Sequence, residues 1–285
     1  MLRSKMVWLT LLLGFLATSV WGQDTAKRSI SNVGGGLYRF QNNFHYSVFL
    51  VTEQGVLVTD PINADAARWL KAEIAKRFKQ PIRYLVYSHD HADHSSGGEV
   101  FAEAGAIVVA HANAKSIIKG EKRPTAIPEI TFERQLTLEL GGQQVILNYH
   151  GKNHSNNMIT MLFPAQRALF AVDFIPVKTV AYKTLTDSWF PEWPHSLEQV
   201  EHLDFDILIP GHGAIGSKAD VSVFRNYLQD LYSEVLEQVR SGKTLEQIKV
   251  AVDLSKYKTM EKFNDWAPMN VEGVYKQIQL HRRGN

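Results

Sequence analysis

The chain has 285 residues, 45% hydrophobic and 21% charged, with a formal charge of +2 at pH 7. This is the composition of an ordinary globular protein with a substantial core, and it excludes a disordered or low-complexity chain. Its basic residues are scattered rather than gathered into a phosphate-gripping stripe, so nucleic acid is not an expected partner; with no cysteine, disulfides and a lipid-modified N-terminal cysteine are excluded.

At the N-terminus, Arg3 and Lys5 precede an apolar stretch from Met6 to about Ala17, followed by Val20-Trp21-Gly22. That is the pattern of a secretory signal peptide, and the stretch is shorter than the roughly 20 residues of a membrane span. Cleavage near Gly22 is expected, giving a periplasmic or secreted protein with no stable membrane anchor. The expected division is 1–22 signal peptide, 23–218 main domain and 219–285 a C-terminal helical extension packed on it.

Residues 37–40, 46–52 and 56–59 run apolar or alternate between turn residues such as Asn42-Asn43 and Gln54-Gly55, which predicts short antiparallel strands. Ala67, Leu70, Ile74 and Phe78 carry a helical spacing over 64–78. A continuous apolar strand over 82–87, a polar loop at 88–94, a helix over 95–104 and a strand at 107–110 follow. Residues 130–150 alternate around Gly141-Gly142 as a hairpin, and 158–163 and 168–174 read as two strands joined by a turn. Further on come a helix at 196–203, a buried strand at 207–209, a helix over 219–240, a shorter one from Thr244 and a last one over 271–281. In the long helix, Val223, Tyr227, Leu231, Val235 and Val239 form an apolar stripe suited to packing. Two sets of strands with helices between and after them imply an α/β fold of two facing sheets with outer helices.

Five of the eleven histidines fall at the ends of expected strands together with two aspartates. The densest piece is His89-Asp90-His91-Ala92-Asp93-His94, directly after a buried strand. Residues two apart in an extended segment project to one side, so His89 and His91 can both reach one cation, while Asp93 and His94 lie where the backbone turns into the helix and can face a second. Imidazole nitrogen and carboxylate oxygen are zinc ligands at about 2.0–2.2 Å, and a catalytic site needs three protein ligands with one open position. His154 after the hairpin, Asp173 after one strand and His212 in Pro210-Gly211-His212-Gly213 supply the remainder. His45, His111, His150, His202 and His281 have no such context and are expected on the surface or in the core.

The His-x-His-x-Asp-His loop, followed in order by His154, Asp173 and His212, resembles the metallo-β-lactamase superfamily from Leu37 to Gly213. The resemblance implies an αββα sandwich of two mixed sheets with metals at one edge. It implies His89, His91 and His154 on a first metal, Asp93, His94 and His212 on a second, and Asp173 bridging. Asp60 matches an aspartate that supports the ligands through hydrogen bonds. The seven-ligand set resembles glyoxalase II and the bacterial lactonases more than the β-lactamases, one branch of which needs a cysteine; Met158 also stands where many β-lactamases carry asparagine.

Two zinc ions about 3.5–4 Å apart provide hydroxide at neutral pH, so the expected reaction is hydrolysis of a small-molecule ester, thioester, lactone or related amide. Asp93 is the expected residue to orient that nucleophile and carry its proton. Iron or manganese stays open in place of zinc, as do a β-lactamase activity and a mononuclear iron, persulfide dioxygenase-like oxidoreductase. Tyr182, Trp189, Phe190, Trp193 and His195 are candidates to line an apolar cleft, with core packing the competing reading for the tryptophans and a surface position for His195.

Overall fold

The computed structural model describes residues 26–281, so the expected signal peptide lies outside it. Among the described residues no helix is long and apolar enough to cross a membrane. One sheet runs in chain order through β1 (Arg28–Gly34), β2 (Leu37–Asn42), β3 (His45–Thr52), β4 (Gly55–Thr59), β5 (Ile82–Val86), β6 (Ile107–His111) and β7 (Ile130–Phe132). β1 to β4 form an antiparallel meander, and β4 to β7 are parallel. Parallel neighbours require crossovers. Here they are α1 (Ala64–Phe78), the short α2 (Ala92–Ser95) and α3 (Glu99–Ala102), and α4 (Ala112–Gly120).

The second sheet comprises β8 (Gln135–Leu140), β9 (Gln143–Tyr149), β10 (Ile159–Phe163), β11 (Ala168–Val172), β12 (Ile207–Pro210) and β13 (Gly216–Ser217). It is antiparallel except for β11 and β12, which α5 (Glu192–Glu201) joins as a parallel pair. The chain ends in α6 (Ala219–Arg240), α7 (Leu245–Ala251) and α8 (Phe263–His281). This is the expected α/β sandwich of two mixed sheets with helices outside.

Strand alternation builds its two cores. Val48, Leu50 and Leu57 point between the sheets towards Leu138, Leu147 and Met161. Phe49, Val56 and Val58 point the other way, under Leu70 and Ile74 of α1 and Phe101 of α3. Period-two alternation thus lets one sheet serve both layers. In α6 the buried stripe is Val221, Phe224, Leu228, Leu231 and Val235, and these side chains join the inter-sheet core.

Several local expectations are corrected. The helix read over 95–104 is two single turns broken at Ser96-Gly97-Gly98; Gly97 has φ +88, and a Cβ there would lie 2.3 Å from the Ala64 nitrogen. β7 leaves the expected hairpin and joins the first sheet. β1 and α4 escape the sequence pattern, α5 begins before residue 196, and α8 begins at Phe263. Val223 is exposed, so the α6 stripe is one face further round at its start.

Asn270 of α8 is fully buried: its amide donates to the carbonyls of Ala181 and Lys183, and its carbonyl accepts from the Tyr227 hydroxyl of α6. Asn270→Ala strands those buried groups, and a loss of about 1–3 kcal/mol is expected in urea denaturation. His150 is buried against Phe174, with Nε2 2.8 Å from Thr160 Oγ1, and burial pushes it down from 6.5 to about 4. The unfolded chain therefore takes up a proton below pH 6.5 that the folded chain refuses until about pH 4. Stability falls as pH drops through that window, with roughly 3 kcal/mol due to this residue. His150→Gln keeps a donor without titrating and is expected to flatten the pH dependence of denaturation by that amount.

Candidate metal centre

The start of β3 and the ends of β4 and β5 share one edge of the first sheet, and the ends of β11 and β12 meet them from the second. The loop after β5 carries His89, His91, Asp93 and His94; His154 lies between β9 and β10; Asp173 follows β11 and His212 follows β12. Three non-glycine residues at this edge take positive φ. Asp60, Ile62 and Val172 hold φ of +28, +71 and +50, a region costing about 1–3 kcal/mol per residue. Val172 thereby turns Asp173 off its strand, and the Ile62 amide donates to the His94 carbonyl at 3.2 Å.

All seven expected ligands converge. Donor atoms of His89, His91 and His154 lie within 4.8 Å of one another, as do those of Asp93, His94, Asp173 and His212. His94 Nε2 is 3.3 Å from Asp173 Oδ2 and 3.6 Å from Asp93 Oδ2, and His212 Nε2 is 3.3 Å from Asp173 Oδ1 and 3.7 Å from Asp93 Oδ2. Donors about 2.0–2.1 Å from one tetrahedral cation stand about 3.4 Å apart, so these spacings fit a shared ion. Asp173 Oδ2 is also 3.8 Å from His154 Nε2, which makes this carboxylate the link between the sets.

The buried atoms His89 Nε2, His94 Nε2 and Asp173 Oδ1 have no hydrogen-bond partner among the described residues. Buried polar atoms are otherwise almost always satisfied, and a cation between them supplies what they lack. The donor set therefore fits divalent metal.

Most histidines of the centre are oriented through their other ring nitrogen, as metal-ligating histidines are. Asp60, fully buried, accepts from the Ser88 amide and hydroxyl at 2.7 Å each and faces His94 Nδ1 at 3.2 Å. Because the Ser88 hydroxyl proton goes to Asp60, its oxygen accepts from His89 Nδ1 at 2.9 Å. One carboxylate thus turns the Nε2 atoms of both His89 and His94 inward. His212 Nδ1 donates to the Phe44 carbonyl at 3.1 Å, and His91 Nε2 faces Asp187 Oδ2 at 3.4 Å. That leaves His91 Nδ1 beside His154 Nε2, 3.2 Å away.

The loops are braced from below. Arg123 reaches the Asp90 carbonyl and carboxylate, and Asn157 accepts from the Asp90 amide and donates to its side chain. Arg39 donates to the Gly213 carbonyl in the His212 loop. Gly211 is required by close approach, since a Cβ would lie 2.9 Å from the His94 ring and 3.1 Å from Asp173 Oδ1.

Burial holds His89 well below the ordinary imidazole value and His154 down to about 4, so both are neutral with free lone pairs. For His94 and His212 burial also works downward, but Asp173 with Asp60, and Asp93 with Asp173, outweigh it and raise both. Asp93 and Asp173 are held below the ordinary carboxylate range against their own burial, the former by His212 and His45, the latter chiefly by His94. The carboxylates thus draw positive charge to the point where the sets meet.

The expected pocket residues disperse. Trp193 is 1% exposed, its ring beside His154 and Phe224 and its Nε1 donating to the Phe174 carbonyl, so it is core rather than cleft; Phe190 packs with it. Tyr182 stands edge-on to Trp266 of α8. His195 is exposed on α5 beside Glu198. Trp189 alone keeps to the wall, its amide donating to the Asn153 carbonyl and its ring under Lys152. Sequence reasoning missed Ser88, Asp187 and His45. His45, expected on the surface or in the core, stands with Nε2 3.5 Å from Asp93 Oδ2. Only the adjacency of Ser88 to the motif was a signal; the other two arrive through folding alone.

The family model of the metallo-beta-lactamase superfamily matches residues 42–212, from the turn before β3 to His212. The chain belongs to that superfamily, whose members are metal-dependent hydrolases. A metallo-beta-lactamase type 2 from Elizabethkingia meningoseptica is 26% identical over 213 residues, covering 70% of the chain and 84% of the relative. The 2,4-dinitroanisole O-demethylase subunit alpha from Nocardioides sp. (strain JS1661) is 24% identical over 187 residues, covering 63% and 56%. Among solved structures, a metallo-beta-lactamase from Pontibacter korlensis superposes with a TM-score of 0.65 at 20% identity, covering 71% of the chain and 99% of that protein, a likeness of fold.

Removing Asp60 frees the rings of His89 and His94 together. Asp60→Ala is expected to lower metal affinity about 10- to 100-fold, read by elemental analysis after dialysis against a graded chelator series.

Proposed function

We propose that the protein is an exported dinuclear zinc hydrolase that cleaves a small-molecule ester, thioester, lactone or related amide. The observation that carries this reading is the meeting of two mutually close donor sets at one carboxylate, Asp173. When bound, a pair of zinc ions supplies Lewis acidity and acidifies water to near neutral pH.

In this reading His89, His91 and His154 hold one ion, Asp93, His94 and His212 the other, and Asp173 spans both. Asp60 keeps two of the imidazoles inward-facing throughout turnover. Asp93 has the further role of orienting the attacking water and carrying its proton: its side chain is 47% exposed, so solvent reaches the carboxylate that the fold otherwise encloses. Substrate enters from that exposed side, with Trp189 and Lys152 forming one wall and the Phe44 turn the other; Phe44 is 84% exposed beside His212. A small molecule fits such a mouth, and the scattered basic surface gives no track for nucleic acid.

Hydrolysis of β-lactams is a second reading. It is favoured by the relatives named metallo-beta-lactamase type 2, from Elizabethkingia meningoseptica and Bacillus cereus, the second 26% identical over 175 residues. The relative named as a 2,4-dinitroanisole O-demethylase subunit carries a name other than β-lactamase, so likeness to the family alone does not select that branch.

Protein purified with zinc is expected to carry about two ions per chain and to hydrolyse members of a panel of esters, thioesters and lactones. Asp93→Asn and His91→Ala are expected to lower kcat/KM by at least about 100-fold, a transition-state loss near 3 kcal/mol. Full activity in both variants, or one iron and no zinc per chain, contradicts the proposal. Nitrocefin turnover by the same preparation, abolished in Asp93→Asn, assigns the β-lactam branch.

A further inference from the structure

His45 opens β3, paired with Asn42 across a turn in which Asn43 takes φ +56. Its backbone surroundings are fixed by the loop that carries His212: the Tyr46 amide donates to the Gly211 carbonyl at 2.8 Å, and the Phe44 carbonyl accepts from His212 Nδ1. The His45 ring stands edge-on to His212 at 4.7 Å between centroids and to His94 at 6.2 Å. Its Nε2 reaches Asp93 Oδ2 at 3.5 Å, yet His45 stands outside the mutually close set of Asp93, His94, Asp173 and His212.

The neighbouring hydrogen bonds give this contact its meaning. His94 and His212 use Nδ1 on Asp60 and on the Phe44 carbonyl, so in the two-metal reading their Nε2 atoms go to the ion and neither donates to Asp93. His45 lies outside that ligand set and keeps its Nε2 towards the same carboxylate. The ring's 3.5 Å approach shortens to hydrogen-bond length with a small rotation of either side chain. Where Ser88, Asp60, Asp187 and the Phe44 carbonyl orient histidines, His45 is the ring outside the ligand set that faces Asp93.

We infer that His45 is a positioning residue, donating from Nε2 to Asp93 and setting the rotation of that carboxylate at the second metal position. The inference rests on the two-metal reading above. It assigns the turn into β3 a double grip on one ion position, through the Phe44 carbonyl on His212 and through the His45 ring on Asp93.

The test is zinc titration of the metal-free full chain against a competing chromophoric chelator, for the native protein, His45→Ala and His45→Gln. The native protein is expected to show two binding steps. In His45→Ala one step weakens by about tenfold or more while the other stays within about twofold, and the melting temperature of the metal-free chain is unchanged. His45→Gln, whose amide donates from nearly the same place, recovers most of the lost affinity. Two unchanged steps in His45→Ala overturn the inference, as does equal weakening of both steps with a lowered metal-free melting temperature, which marks a structural role. A native chain that takes up fewer than two ions overturns the two-metal reading first and the role of His45 with it.

Discussion

Buried donor atoms without hydrogen-bond partners dominate the architecture. His89 Nε2, His94 Nε2 and Asp173 Oδ1 point at one another's neighbourhood from two different sheets, and none of them makes a hydrogen bond among the described residues. Such a cluster resists formation, because each unsatisfied buried atom costs on the order of 1–3 kcal/mol and like dipoles face one another. The fold compensates by making every approach rigid. Strained backbone at Asp60, Ile62 and Val172, the intolerance of Gly211 for a side chain, and the arginine braces at Arg39 and Arg123 all hold the donors where they would not gather unaided. Cation binding offsets the cost of gathering these donors, which couples metal uptake to stability.

Orientation is the second half of that design. A histidine offers a lone pair from only one nitrogen at a time, so the partner of the other nitrogen decides whether the ring is a ligand or a cation. Asp60 makes that choice for two rings through a single side chain and Ser88. The arrangement explains why an aspartate that touches no metal position is wholly buried. Removing it would free two histidines, where removing a ligand frees one.

Much of this is legible in the amino-acid sequence, for identifiable reasons. Strands that serve both core layers, such as β3 and β4, carry unbroken apolar runs, and strand ends advertise themselves by abrupt changes to His, Asp and Gly. The ligand set follows from those ends. Exposed or short elements escape: β1 has no buried stripe, and the turns α2 and α3 are dictated by glycines packed against α1 and Tyr87 rather than by helical spacing. Trp193 shows the limit of composition, since an aromatic residue near a site in sequence can face the core once its helix starts earlier than its charges suggest. His45 and Asp187 show the complementary limit. Neither sits in a motif; each reaches the centre because a strand or loop from elsewhere passes its rim.

The C-terminal helices extend the same rigidity. The segment between β11 and α5 places Asp187 against His91 and Trp189 against Asn153, beside His154, so it forms the wall on the first metal side. That segment has no sheet of its own to fix it. It is held instead from α8: Asn270 binds the carbonyls of Ala181 and Lys183, and Gly273 admits the Thr184 carbonyl where a Cβ would lie 2.0 Å away. α6 completes the clamp through the Tyr227 hydroxyl. A loop so anchored brings its carboxylate to His91 through contacts made far from the ring itself. The helices beyond β13 therefore reach the centre indirectly, by anchoring the segment that carries Asp187 and Trp189.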